Sequence, residues 1–492
     1  MTTSSIATRD PVGLVADPAR VIGQLFVPGH ALAGEHEVRA SHTMAHVLGL
    51  SDAEVDLALA DLTERFGARH RDLPAMFERH ALRLADRVAP DVELSGSRRL
   101  LIGATFTQEV SVQAAGVCNP SAVADIDQSG LSPGEQRVVL SVREIGEGHR
   151  SSIGFRSLIV GPTGTVSVQP RTLHATAGAI EDVPLDARVF ADLLTEPEAE
   201  SVRWVLAGLS SSFIAAELTD RVRLLEDQRD TRRDALATSR SLADRASRCY
   251  AVRFPADSDL SERVLHPARP MESHGLEDAR FVRFVDDDAS VTYLAPYTAY
   301  NGSAISQQLL STTDFETFTT FPLLGPGAAN KGLALFPRRI GGRFHALSRC
   351  DGERNALTVS DDLRHWPAAS PLDVTSAAWS SVQLGNCGSP IELDEGWLVL
   401  THGVGAMRTY SIGALLLDLE DPSKVIGQTA QPLISPGPDD QNGYVPNVVY
   451  SCGAMKHGDR LLVPLGIADC RIGFATLAIT DVLAALKDGA HG

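Results

Sequence analysis

Apolar positions recur at helical spacing from Ser51 to about Val88, and Ser51 with Glu54 forms an S-x-x-E box that satisfies orphan amides at a helix start. A second helical stretch is predicted from about Pro184 to Ser247. Thr195 and Glu198 repeat the capping pattern there, and Val202, Val205, Leu206 and Leu209 share one stripe. Its later part, Asp220 to Arg245, interleaves both signs of charge densely, which is the composition of a solvated helix face. Elsewhere the texture changes to short β-rich runs punctuated by Gly, Pro and Asp.

Those runs repeat one unit: an apolar strand, a tight polar turn and a second apolar strand. The unit appears as FVRFVDDDASVTYLAPYTAY from Phe281, ALFPRRIGGRFHALSR from Ala334, SPIELDEGWLVLTHGV from Ser389 and NVVYSCGAMKHGDRLLVPLGIAD from Asn447. Its turns at Asp287, Gly341, Glu395 and Gly458 lie roughly 55 to 65 residues apart, a period suited to four-stranded propeller blades. A looser copy, with CNPSAV from Cys118 and RVVLSVREIGEGHRSSIGFRSLIV from Arg137, makes five. The expected fold is therefore an all-β five-bladed β-propeller core with an α-helical N-terminal region and a helical insertion. The expected divisions are 1–96 for the N-terminal extension, 97–183 for the first blade region, 184–248 for the insertion and 249–492 for the remaining blades.

The 492 residues are 43% hydrophobic and 22% charged, with no run of roughly 18 apolar residues that would cross a membrane. Met1 to Pro11 lacks a basic segment followed by an apolar one, so the expected location is the cytoplasm. Six cysteines without CxxC spacing argue for reduced, buried thiols rather than a zinc ribbon or a disulfide framework. A net charge of −18 disfavours nucleic acid as a partner, because a phosphate backbone needs a basic face. No P-loop, GxSxG elbow or HExxH is present. His70 and His80 are too far apart on a helical stretch to share a metal, so no metal and no organic cofactor is expected.

Aligning the second strands of the repeats puts Arg143, Tyr297 or Tyr300, Arg349, His402 and Asp469 at equivalent ends, converging on one pit. The segment MESHGLEDARFVRF places Glu277 and Asp278 just before a strand. One carboxylate can enter the pit while its neighbour bonds Arg280 or backbone amides, because successive side chains of an extended chain diverge. A carboxyl group desolvated in such a pit gains proton affinity and can protonate a leaving glycosidic oxygen. Lys331, Arg349 and His402 add cation-capable groups, and arginine offers the forked geometry that suits phosphate or carboxylate.

Together CNPS, Arg143, GLEDAR, YTAYNG from Tyr297, NKGLALFPRRIGGRF from Asn330, GNCGSPIELDEGWLVLTHGV from Gly385 and YVPNVVYSCG from Tyr444 resemble glycoside hydrolase family 130. That family comprises β-mannoside phosphorylases and some β-mannosidases. The resemblance runs from about residue 98 to 480 and implies Asp278 as general acid, acting through the mannosyl 3-hydroxyl while phosphate attacks the anomeric carbon with inversion. It implies that Lys331, Arg349 and His402 hold phosphate, and that Asn119, Arg143 and Asp469 bind the mannosyl ring, with Glu277 and Tyr300 completing the sugar-facing set. Gln383 stands where phosphorylases of the family carry a Lys, and it offers a hydrogen bond without charge. The implied activity is an inverting phosphorylase that uses inorganic phosphate on manno-oligosaccharides and yields α-mannose 1-phosphate. The alternatives are an inverting β-mannosidase, in which Glu277, Glu144 or Glu147 activates water, and a noncatalytic carbohydrate-binding propeller. The helical regions are candidate surfaces for self-association or for a lid.

Overall fold

The computed structural model describes residues 6–28, 35–195, 199–228 and 234–489. Glu198 of the expected Thr195 cap lies outside them.

The chain divides into two compact units. One comprises Asp17–Ala114 with Thr172–Ala177. It carries the helices Glu35–Gly49, Asp52–Phe66, Leu73–Leu82 and Gly96–Thr105, with a two-stranded sheet of Val21–Leu25 against Thr107–Ser111. The helix from Asp52 begins at the expected box: Ser51 Oγ accepts from Glu54 N–H at 3.3 Å, and the Glu54 carboxylate accepts from Ser51 N–H at 2.7 Å. Gly103 lets two helices approach closely, since any Cβ there would fall 1.8 Å from the Phe77 carbonyl oxygen.

The other unit holds Met1–Ala16, Ala115–Arg171 and Gly178–Gly492. The turns near Asp287, Gly341, Glu395 and Gly458 each close an antiparallel pair. Gly341 and Gly458 have φ of +58°, which a side chain would strain. The expected parcelling into five separate propeller blades is not what forms. Among the described residues, thirteen strands make one sheet, beside two sheets of five, one of four and two of two. The merger occurs where Val264 and Leu265 pair with Gly154 and Ile153, and where Gly275 meets Ser151 in parallel. A hairpin repeat specifies its own turn and register, but it leaves its edge strands free to pair with the next unit, so counting repeats overcounts separate sheets.

The helices Ala199–Leu206, Ala215–Glu226 and Ala235–Ser247 bury Val202, Val205, Leu218, Leu225 and Leu242 around Phe190. Beneath the strand ends that matter most for function lies an aromatic core. Phe155 contacts Phe281, Phe315 and Phe318 with ring centroids 5.4–5.9 Å apart. The buried Glu272 carboxylate, close by, accepts from the hydroxyls of Tyr250 and Tyr297 and from Ala268 N–H. Phe281 follows the GLEDAR segment directly, so this core sets that segment's position. Phe155→Ala should lower unfolding free energy by about 3–5 kcal/mol in urea denaturation, because the fully buried ring leaves a cavity that its neighbours cannot close.

Candidate active site

Arg143 lies near the end of the strand Gln136–Ile145, paired antiparallel with Ser151–Val160. Its guanidinium forks between adjacent carboxylates, with Nη2 2.6 Å from Glu277 and Nη1 3.3 Å from Asp278, while Nε donates to Ser151 Oγ at 2.8 Å. The short strand Gly275–Glu277 pairs with Val291–Tyr300 and delivers both carboxylates. Asp278 then turns into the left-handed region, φ +57°. Asn119, at a register shift in the strand Gly116–Ala124, has φ +48°, and Asp469, in the turn between Arg460–Ile467 and Arg471–Ala478, has φ +51°. Such backbone is unfavourable for residues with a Cβ, though Asn and Asp tolerate it best. Three instances at one site mark a place where side-chain direction overrides local preference.

The carboxyls divide the proton unequally. Burial pushes Glu277 up, with Asp278 adding to the rise and Arg143 opposing it. Burial also pushes the Asp278 carboxyl up, but the cations Arg143, Lys331, Arg280 and Arg349 outweigh it and hold that group below its usual range. Asp469 is raised to about 6, by burial first and then by Asp278 and Glu277 against Arg143. The raised proton affinity that desolvation predicts thus falls on Glu277 and Asp469, and nearby positive charge reverses it at Asp278.

On the other side, Arg349 Nη1 and Gln383 Nε2 both donate to His402 Nε2, at 3.0 and 3.1 Å. His402 Nδ1 lies 3.0 Å from the Asn386 carbonyl and must carry the ring proton to bond it, which leaves Nε2 as acceptor. Burial, then Arg349 and Arg280, hold this histidine well below its ordinary range. It is a neutral acceptor that aims Arg349 and Gln383, and the positive charge belongs to Arg349 and Lys331. Gly385 makes the approach feasible, since a Cβ there would sit 2.4 Å from the imidazole and 3.1 Å from Arg349 Nη1. Arg349 Nε and Asn386 Oδ1 are buried with no protein hydrogen-bond partner. Lys331 forms no ion pair or hydrogen bond among the described residues, and its field reaches Glu277, Asp278 and His402.

Arg143, Glu277, Asp278 and Asp469 therefore share one cluster, and Arg349, His402 and Gln383 form a second, with Lys331 acting on both. Asn119 joins through its neighbour Pro120, whose carbonyl accepts from Cys452 N–H at 2.8 Å. Tyr300 faces Gly275 across the sheet, but its hydroxyl donates to the Gly302 carbonyl at 2.8 Å. Tyr297 is core, bonded to Glu272. Glu144 points to the opposite strand face, 3.7 Å from Arg156, and Glu147 is exposed at the hairpin tip. In the other unit, His70 bonds Glu109 and His80 bonds Thr107. Among the described residues no group of three or more His, Cys, Asp or Glu is arranged to hold a metal. Sequence reasoning missed Asn386, Tyr450 and the reach of Arg280. The unbroken GLEDAR motif offered a signal for Arg280, as GNCGSP did for Asn386 and YVPNVVYSCG for Tyr450.

A family model described as beta-1,4-mannooligosaccharide phosphorylase, that of glycoside hydrolase family 130, matches residues 251–488. A 1,2-beta-oligomannan phosphorylase of Thermoanaerobacter sp. is 33% identical over 230 residues, covering 45% of this chain and 75% of that protein. A beta-1,2-mannobiose phosphorylase of Listeria innocua is 31% identical over 236 residues, covering 45% of this chain and 63% of that relative's length. The solved complex of the Listeria innocua enzyme with beta-1,2-mannobiose aligns with 77% of this chain and 93% of its own at 23% identity, with a TM-score of 0.45.

Asp469 supplies a pH test of the cluster. A carboxyl raised from 3.8 to about 6 binds its proton more tightly folded than unfolded. Its contribution to stability is therefore full below about pH 4 and is lost as pH rises through about 6. Asp469→Asn should accordingly gain on the wild type between pH 4 and pH 7.5, by up to about 3 kcal/mol in urea unfolding. An equal difference at both pH values would show that Asp469 carries no such shift.

Proposed function

The chain belongs to glycoside hydrolase family 130, and we propose that it is an inverting phosphorylase of β-mannosides that releases α-mannose 1-phosphate. The observation that carries this reading is the pairing of a carboxylate cluster with an adjoining side-chain cluster whose charge comes from Lys331 and Arg349. Phosphate is an adequate nucleophile once cations hold it, so one acid suffices, whereas inverting hydrolysis also needs a base opposite the acid. Glu144 is turned toward Arg156 and Glu147 stands in solvent. Glu277 and Asp469 gather about the same guanidinium as Asp278. This arrangement favours phosphorolysis over hydrolysis.

In this reading Arg143, Asn119, Asp469 and Glu277 bind the mannosyl ring, and Lys331, Arg349 and Gln383 hold phosphate, with His402 aiming the latter two. Tyr300 flanks the ring from the neighbouring strand. A phosphate oxygen attacks the anomeric carbon as the glycosidic C–O bond breaks. The leaving oxygen takes a proton from the mannosyl 3-hydroxyl, which is replenished by Asp278, and the proton of the phosphate restores the acid. Phosphate dianion beside Lys331 and Arg349 offsets the charges that depress Asp278, so the acid gains proton affinity as its co-substrate arrives. The names of the Thermoanaerobacter and Listeria relatives support a β-1,2 linkage. The six free cysteines suit a reducing compartment such as the cytoplasm, and among the described residues no helix is long and apolar enough to cross a membrane.

Purified protein incubated with β-1,2- and β-1,4-mannobiose should release mannose 1-phosphate only when phosphate is present. Free mannose without phosphate would establish a mannosidase instead, and binding without turnover a noncatalytic module. Asp278→Asn should lower kcat by about 10²- to 10⁴-fold while mannobiose still binds in calorimetry. Gln383→Lys should lower the KM for phosphate several-fold, since it adds a charge where Nε2 now donates to His402; an unchanged value would remove that position from the anion pocket.

A further inference from the structure

Arg280 lies two residues beyond Asp278 and is only 2% exposed. Among the described residues no carboxylate lies within ion-pair distance of it. A guanidinium buried without a carboxylate partner is expensive to maintain unless its donors are taken up. Three acceptors take up its two Nη groups, and all three belong to the site, while Nε is buried without a partner. Nη1 donates to the Gly332 carbonyl at 3.2 Å and to the Asn386 carbonyl at 3.1 Å, and Nη2 donates to Tyr450 Oη at 2.9 Å. Gly332 follows Lys331 directly. The Asn386 carbonyl is the same oxygen that receives His402 Nδ1–H, and Asn386 Nδ2 returns to the Gly332 carbonyl at 3.0 Å. The Tyr450 ring packs 4.8 Å from the His402 ring.

The backbone around Arg280 is bolted independently of its side chain. Arg280 N–H donates to the Pro296 carbonyl at 3.0 Å, and Phe281 N–H to Ser121 Oγ at 3.1 Å. Replacing the guanidinium therefore leaves Asp278 anchored and releases what the guanidinium reaches.

We propose that Arg280 is a positioning residue that holds Lys331 and the Nδ1–H tautomer of His402 in register with Asp278, so that the phosphate-holding side is set relative to the acid. This rests on the phosphorolytic reading. Lys at 280 keeps the charge but has a single donor head that cannot span the three acceptors. Tyr450→Phe removes one acceptor and keeps the ring.

The test compares the KM for phosphate with the KM for mannobiose in wild type, Arg280→Lys and Tyr450→Phe, with thermal melts to confirm folding. Arg280→Lys should raise the phosphate KM at least tenfold and Tyr450→Phe two- to fivefold, with the mannobiose KM within about twofold in both. Unchanged phosphate KM, or equal rises in both constants, would overturn the inference, since a merely structural arginine does not distinguish the two substrates. If Arg280→Lys fails to fold, Tyr450→Phe decides by the same split. A wild type without phosphate-dependent turnover would instead overturn the phosphorolytic reading, and this inference with it, before any variant is compared.

Discussion

The fork of Arg143 between Glu277 and Asp278 is the contact on which the site depends. It bridges residues separated by 134 and 135 positions and brings a hairpin of the first repeat against the GLEDAR segment. Without that guanidinium, two adjacent buried carboxylates would repel each other and both be pushed toward protonation; with it, Asp278 is held low and the rise falls on Glu277. The guanidinium's own orientation is secured through Ser151, in the strand that also meets Gly275. The same strand pairing that merges separate repeats into one sheet therefore aims the residue that holds the acids.

Charge is distributed about that fork with a clear asymmetry. Four cations hold Asp278 below its usual range, while Glu277 and Asp469 are pushed toward protonation. The second cluster owes its positive character to Arg349 and Lys331, and His402 serves it as a neutral acceptor that aims donors. A protonated His402 beside Arg349 would add repulsion inside the pocket, so the buried carbonyl of Asn386 selects the tautomer that avoids it. Arg280 lies between the two clusters, and three acceptors engage its Nη groups in place of a carboxylate partner.

Much of the chemistry was legible in particular stretches. GLEDAR put two carboxylates and an arginine within four residues, and Lys331, Arg349 and His402 stood at the ends of apolar runs, where charge needs an explanation. The family model begins at residue 251, so Asn119 and Arg143 fall outside it, yet tertiary contacts return them to the residues it covers. The propeller expectation failed because hairpin periodicity reports the turns of a sheet and is silent on which outer edges join. Tyr300 illustrates another limit: its place at a strand end was readable, but the engagement of its hydroxyl with Gly302 was not.

The amino-acid order by itself determined the local elements and the inventory of reactive groups. The Ser51–Glu54 box, the hairpin turns and the helical stripes depend on neighbours a few residues apart, whose sterics and hydrogen bonds act whatever the rest of the chain does. Tertiary structure alone decided which carboxyl keeps its proton, which nitrogen of His402 bears hydrogen, which edges merge into one sheet and what Arg280 touches. Each of these follows from burial and from groups that folding brings together, from 16 positions apart for Asn386 and His402 to 170 for Arg280 and Tyr450. Desolvation and Coulomb interactions depend on distance through space, which spacing along the chain does not encode.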